Sequence, residues 1–476
     1  GLERIGMNKR EVLLTLPLCC LIVNNWSSAQ AQITPDGSLS TNVTTENNRN
    51  FTINNGNRAG NNLFHSFREF SVPTGGEAFF NNAADIQNIF SRVTGGSISN
   101  IDGLIRANGG ANLFLLNPSG IIFGPNARLN IGGSFFASTA SSLIFSDGTQ
   151  FSATNNQNSP LLTINVPVGL QYGAKAAPIR VQGARQIEAV GTTKGFDSNL
   201  NILEVNPGNT LAIIGGNVII DGGILQAPGG RIELGGLAGE GTITINENGS
   251  LSFPSGGQRA NISIINKSGI NVLAGGGGNI AINAQNLEIS ESLLTTGIAT
   301  GLGNQGAKAG NILIDATGAI AITASRIENN VNPAFDEQPA AIGDGGDIII
   351  KAGLTFTTET ASLSTGTFGQ GNGGNLIITA NSVSLTNGTN VDSITTGLGN
   401  AGNIEIYSKD SVAIVESKLE SDIFQAPLGG GNAGNILVQA NGLVSIFNSQ
   451  ITSEVPENAT GNGGTITIEA GAISMI

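Results

Sequence analysis

From about residue 270 apolar and polar positions alternate in a unit that keeps returning. Each copy opens with Gly and a polar residue, followed by apolar positions two apart: "GNIAINA" at 278, "GNILIDA" at 310, "GDIIIKA" at 346, "GNLIITA" at 374, "GNIEIYS" at 402, "GNILVQA" at 434 and "GTITIEA" at 464. The starts lie 32, 36, 28, 28, 32 and 30 residues apart, a range of periods that means stacked repeats. A second pattern follows in most units, with apolar residues at offsets 0, 2 and 7 and Ser at 5, as in Leu287, Ile289, Ser292 and Leu294. Period-two alternation marks strands, and the break between offsets 2 and 7 marks a turn. Three short strands per unit, each pairing with its copy in the next, predict an all-β parallel β-helix that advances about 4.8 Å per coil. Ile280, Ile312, Ile348, Leu376, Ile404, Ile436 and Ile466 then stack inside it. Asn279, Asn311, Asn375, Asn403 and Asn435 follow the repeat's Gly and predict a turn ladder, because Asn hydrogen-bonds along a column and tolerates a left-handed backbone.

The N-terminal part reads differently. Thirteen of the 20 phenylalanines fall between Phe51 and Phe151, which predicts a bulkier core that caps the first coil and covers its strand edges. Coil-like alternation resumes at "NTLAIIGGNVIIDGGILQAPGGRIELGG" (209–236), and a change of coil type within one solenoid is expected near 262. In "ANLFLLNPSGIIFG" (111–124), two apolar runs are split by Asn117-Pro118-Ser119-Gly120. Asn first, Pro second and Gly fourth predict a type I turn.

Composition agrees with many short strands and tight turns. Gly contributes 69 residues and charged residues only 12%. From Met7 onward, Lys9 and Arg10, an apolar run from Leu13 to Val23 and the order Ala29-Gln30-Ala31 read as an export leader cleaved after Ala31. Eleven apolar residues fall short of the about 20 that span a bilayer, and no later segment comes closer, so no membrane anchor is expected. Cys19 and Cys20 both lie in the leader, which leaves a mature chain without disulfides, thiol chemistry or Cys-ligated metals. Removing Arg4, Lys9 and Arg10 with Glu3 and Glu11 moves the net charge from −13 to −14. This acidity argues against nucleic acid as a partner.

Candidate chemistry is sparse. His65 is the only histidine, stands between Phe64 and Phe67, and reads as structural. Gly301-Leu302-Gly303-Asn304-Gln305-Gly306 fits G-x-G-x-x-G but leads toward a strand where a dinucleotide fingerprint needs a helix. Asp336, Glu337, Asp344 and Asp347 form the densest acidic group, in the longest repeat. A solvated loop is the default reading and Ca²⁺ the competing one. Outward strand positions are mostly Asn, Ser, Thr and Ala, so no catalytic cluster, cofactor or metal site is expected.

The segments "NNLFHSFREFSV" and "SRVTGGSISNIDGLIRANGGANLFLLNPSGIIFGPNARLNIGGSFFAST" closely resemble the N-terminal secretion domain of filamentous-haemagglutinin-type exoproteins of two-partner secretion, above all the cyanobacterial ones. The resemblance covers residues 33 to about 262. It implies a right-handed β-helix with an N-terminal cap, carried out by the Sec machinery and then recognised by a dedicated outer-membrane β-barrel transporter. It maps the family's Asn-Pro-Asn-Gly-Ile signature onto Asn117, Pro118, Ser119, Gly120 and Ile121, with Ser in place of the second Asn. A second signature, Asn-Pro-Asn-Leu, has no counterpart in "FFNNAADIQNIFSRV" (79–93). The organisation implied is a leader in 1–31, a secretion domain at 32–262, and β-helical repeats at 263–476. The last would form an adhesive or spacer stalk of a protein released from, or displayed on, a Gram-negative-type cell, with a surface glycan or a ligand on a host or neighbouring cell as its expected target. A β-helical carbohydrate-active enzyme and the carrier of a C-terminal effector are the alternatives.

Overall fold

A computed structural model of the chain describes residues 32–155, 162–184, 202–424 and 430–476; Ala29 and Ala31 lie outside the described residues. Strands wind into a right-handed parallel β-helix, and among the described residues no helix occurs. Most coils carry three strands, as the repeat predicts. In one coil these are Ile312–Ala316 on the first face, Ile320–Thr323 on the second and Arg326–Val331 on the third. In two others Leu376–Thr386 and Ile404–Val415 run through the first corner as one strand.

The inward column of the first face begins far earlier than the sequence repeat. It runs Leu63, Ile89, Leu113, Phe135, Leu211, Ile232, Ile280, Ile312, Ile348, Leu376, Ile404, Ile436 and Ile466, every neighbour in parallel register. One apolar residue per coil meeting its copy above and below is the simplest way for a short strand to bury its inner side, worth roughly 1.5–3 kcal/mol each. The repeat's Gly has a steric reason. A Cβ at Gly346, Gly374, Gly402 or Gly434 would lie under 3.0 Å from the carbonyl oxygen of the corresponding Gly one coil below, so the backbones stack too closely there for any side chain.

Both unpaired edges of the first coil are closed by antiparallel strands. Ile33–Pro35 and Asn57–Ala59 pair with Asn62–Phe70, and Thr41–Thr45 pairs with Asn50–Asn55. Two excursions leave the solenoid at the same corner, between the first and second faces. One contributes Ser142–Phe145, Gln150–Ser152 and Pro167–Tyr172, the other Gly241–Ile245 and Leu251–Ser252. They pair with each other into a five-stranded antiparallel sheet lying outside the first face. From Ile262 onward the coils carry no such sheet, while the parallel ladder runs on without a break.

This sheet corrects the expectation for the phenylalanines. Phe67, Phe70, Phe80, Phe123 and Phe135 fill the solenoid, but Phe64, Phe90, Phe114 and Phe136 face outward. Their rings stack up the coils at centroid separations of 5.1, 5.0 and 4.5 Å. They form a second core against Phe145, Phe151, Leu170 and Ile243 of the antiparallel sheet. Tyr172 closes it by donating from its hydroxyl to the Ile214 carbonyl at 2.6 Å.

Candidate functional site

The turn at Asn117 is built from its first residue. Gly120 N–H donates to Asn117 O at 3.1 Å, and Pro118 and Ser119 keep negative φ while Gly120 takes +118°. This is a type I turn closed by a glycine that L side chains rarely replace. The Asn117 side chain is 0% exposed. Its Nδ2 donates to Ser97 O and Ser99 Oγ, and its Oδ1 accepts from Ser119 N–H, all at 2.9 Å. Ile121 is buried and pairs with Ser99 and Ile179. Of the five signature residues, only Pro118 and Ser119 reach the surface, each half-buried.

Close by, one arginine ties the cap to the coils. Arg92 is 0% exposed, and donates from Nε to Ser66 Oγ at 2.8 Å, from Nη2 to Ser38 Oγ at 3.0 Å and from Nη1 to Ser152 O at 2.5 Å. Its guanidinium also lies 4.7 Å from the Phe151 ring centroid. Ser66, Ser38 and Thr94 in turn donate to Asp36 at 2.6, 2.7 and 2.8 Å. Burial pushes the Asp36 carboxyl up, but these donors outweigh it and hold it below its usual range. Four separate segments meet here, which sequence reading missed; an Arg within the apolar strand "NIFSRV" is the signal that could have found it.

His65 sits between Phe67 and Phe80 with Thr41 Oγ1 3.2 Å from Nδ1, and burial lowers it to about 3. It is a neutral core residue. The G-x-G-x-x-G segment enters the exposed strand Gly303–Lys308, with no helix to present amides to a phosphate.

The asparagine column does form a hydrogen-bonded line, though through the main chain. Each side-chain oxygen accepts from the backbone N–H one coil on: Asn311 to Asn279, Asp347 to Asn311, Asn375 to Asp347, Asn403 to Asn375 and Asn435 to Asn403, at 2.8–3.0 Å. These residues do not use a left-handed backbone. Positive φ falls on Glu291, Ala324, Thr360, Asn387, Glu416 and Asn448, at the corner between the second and third faces. In four of these six, the Ser of the second repeat pattern comes next.

The acidic group divides. Asp347 belongs to the column just described, and Asp344 Oδ1 accepts from Asn372 N–H at 2.9 Å in a parallel, exposed column. Asp336 and Glu337 form a two-residue hairpin turn, both at positive φ, with Phe335 and Gln338 exchanging backbone hydrogen bonds. Among the described residues no three His, Cys, Asp or Glu side chains are arranged to hold a metal ion.

Carboxylates converge elsewhere, among outward positions that are mostly Asn, Ser, Thr and Ala. Glu328, Ser364, Asp392 and Glu420 stand in register on the outer side of the third face. Burial pushes Asp392 up to about 7 against the hydrogen bond from Ser364, with Glu420 and Glu328 adding repulsion. Arg326 and Lys418 stand 3.5 and 3.4 Å from Glu328 and Glu420, so the stripe is internally partnered. Unequal repeat lengths of 36 and 28 residues hide this column from any fixed-period reading.

The sequence profile of a protein family, the TPS secretion domain, matches residues 31–254. The crystal structure of the HMW1 secretion domain from Haemophilus influenzae has a similar fold, with a TM-score of 0.55 at 18% identity, over 94% of this chain and 99% of that one. The filamentous hemagglutinin secretion domain aligns over 75% of this chain and 96% of its own at 15% identity, with a TM-score of 0.35. No curated protein matches the chain. The matched span holds the cap, the buried turn, the Arg92 junction and the antiparallel sheet.

Proposed function

We propose that the two-partner secretion domain carried by residues 31–254 delivers this chain to a dedicated outer-membrane β-barrel transporter, and that the coils from 263 onward form the exported stalk. The observation that carries the reading is a coincidence of boundaries. The family match ends at 254, two residues after the antiparallel sheet ends at Ser252, and plain coils follow. The Sec machinery would first carry the chain to the periplasm and remove the leader ending Ala29-Gln30-Ala31. The product is then a protein released from, or held at, the surface of a Gram-negative-type cell. Its repeats serve as adhesive or spacer length, and its ligand is a glycan or another component of a host or neighbouring cell. No catalytic role is part of this reading.

The turn at Asn117–Gly120 acts within the domain by closing a coil. In the folded chain Asn117 is out of reach of any partner, so recognition of folded protein could use only Pro118, Ser119 and their neighbours. Deleting residues 111–139 and following export with and without a co-expressed transporter tests the assignment. Transporter-dependent export is expected to vanish, and unchanged export would defeat it.

A further inference from the structure

One carboxyl oxygen on the outside of the solenoid is buried without a partner. Glu233 continues the outward column of Phe64, Phe90, Phe114, Phe136 and Ala212, one coil beyond Ala212. It therefore stands where the second core ends. Its side chain is 1% exposed, beneath the hairpin that carries Ser250 and Leu251. Oε1 accepts from Arg231 Nη1 at 3.0 Å, whereas Oε2 has no hydrogen-bond partner. The Leu251 backbone N–H also favours the charged carboxylate, though less than Arg231 does and not enough to offset burial. An unpaired buried polar group costs about 1–3 kcal/mol and calls for an explanation.

Glu233 lines a cleft of about 370 Å³. The column that continues from it, Ala281, Leu313 and Ile349, forms an apolar floor. Leu313 is 40% exposed on that floor. Amides and hydroxyls rim it, from Asn246 and Ser250 on the hairpin and Asn283 on the next column, and its two cations, Arg231 and Lys351, are matched in number by Glu233 and Asp315. The second carboxylate, Asp315, is already met by Arg259 at 3.3 Å, so both acids face a guanidinium and neither is free to attract a cation. Every strand under the cleft is paired on both sides, and the edge strand above it, Leu251–Ser252, is two residues long, too short an edge to seat an extended peptide.

An apolar floor, a rim of amides and hydroxyls and one unsatisfied oxygen match a ligand with an apolar face and many hydroxyls. We propose that this cleft binds a neutral saccharide segment over the Leu313–Ile349 surface, and that the Ser250–Leu251 hairpin shifts so that Glu233 Oε2, covered in the free chain, meets a sugar hydroxyl. Burial, which raises Glu233 to about 7, lets the same oxygen accept or donate near neutral pH. The site lies at the junction of the secretion domain and the stalk and does not depend on how the chain is exported.

The test titrates the purified chain calorimetrically with neutral gluco-, manno- and galacto-oligosaccharides, and with sulfated and uronic-acid oligosaccharides. At least one neutral oligosaccharide is expected to bind with a Kd of about 1 mM or tighter. Glu233→Ala and Leu313→Asp should each weaken it by about tenfold or more. The isosteric Glu233→Gln, which keeps the roof packed, should shift affinity at least threefold, while Leu443→Asp, exposed on a second-face strand several coils away, should leave it unchanged. Binding of acidic oligosaccharides alone, no binding of any neutral one, or variants that bind like the parent would each overturn the proposal. Because the readout is on folded, purified protein, failure here leaves the export reading standing, and failed export leaves this site standing.

Discussion

Replacing Asn117 by Ala separates a turn that shapes the chain from one that is read. The substitution removes the donors to Ser97 O and Ser99 Oγ and the acceptor for Ser119 N–H. Ser97 is exposed and Ser119 half-buried, so water replaces much of what those two lose. Ser99 is fully buried and is left with an unsatisfied hydroxyl. One stranded group at about 1–3 kcal/mol and two ordinary hydrogen bonds at about 0.5–1.5 kcal/mol, part of which water restores, give a destabilisation of about 2–4 kcal/mol. Pro118→Ala releases only a preset φ, about 0.4–1 kcal/mol, and Ser119→Asn changes a half-exposed side chain by no more than about 0.5 kcal/mol. Hydrogen exchange at the Gly120 and Ile121 amides is the suitable assay, since a stack of coils need not unfold in one step. Asn117→Ala should strip protection there and the other two should not. If the turn serves export only by closing its coil, export follows the same order. Failure of Ser119→Asn to be exported, with protection intact, would show that the side chains are read. Unchanged protection in Asn117→Ala would refute the energetic reasoning outright.

Gly374→Ala forces a Cβ against the Gly346 carbonyl oxygen, with no side chain able to move aside. Urea unfolding should show a loss of about 3 kcal/mol or more, against a near-neutral Gly256→Ala, where nothing lies within 4 Å. Arg92→Met keeps the length of the side chain but leaves Ser66, Ser38 and the Ser152 carbonyl without their donor; a loss of about 3–5 kcal/mol is expected in thermal melts, with first exchange in the cap. Asp392→Asn tests a buried acid. Its folded value of about 7 against an ordinary 3.8 means the folded chain holds an extra proton across that window, so the contribution is intact below pH 3.8 and lost as pH rises through 7. Asn cannot ionise, so the variant should gain on the parent by up to about 2–3 kcal/mol between pH 5 and pH 8. His65 acts in the opposite sense, because its lowered value makes stability fall as pH drops below 6.5. The difference between variant and parent melts, not the parent's own optimum, is therefore the measurement.

The solenoid was legible from residue 278 because one residue type per coil recurs at each structural position, as Ile312, Ile348 and Leu376 do. The same inward column from Leu63 to Phe135 was not legible, although the alternation at 209–236 that carries Leu211 and Ile232 was. Between Phe135 and Leu211 the chain leaves the solenoid for the antiparallel sheet, and a 76-residue register step looks like no repeat at all. The phenylalanines were visible as a group, but Phe64 and Phe67 differ by an odd number of positions in one strand. Parity alone sends them to opposite sides of the sheet, and no local pattern says that both sides are dry. Glu233, Asp392 and Arg92 were illegible for a related reason. Each is an outward residue that would be solvated on a bare solenoid and becomes buried only because something else in the fold covers it. Asp344 and Asp347 differ in the other direction: neighbours in an acidic run read by default as a solvated loop, they stand in two separate columns of the coil.

These two levels of order bear on how the chain assembles. The cap strands Ile33–Pro35, Asn57–Ala59 and Thr41–Thr45 occupy the edges of the first coil with antiparallel partners, so no further coil can join on that side. Coils can add only in the C-terminal direction, each laying its Gly against the carbonyl of the one before and its backbone N–H onto the waiting Asn or Asp oxygen. Such a surface selects its successor geometrically, because a coil out of register puts its apolar side outward. The second core adds weight where the stack begins. Phe64 to Phe136 and the antiparallel sheet bury area that a short stack of plain coils lacks, and small β-solenoids are marginal until several neighbours are in place. A chain that emerges N-terminus first would thus meet its most stable, best-closed segment before any repeat. The segment that the secretion-domain profile matches is built like the nucleus on which the later coils can grow.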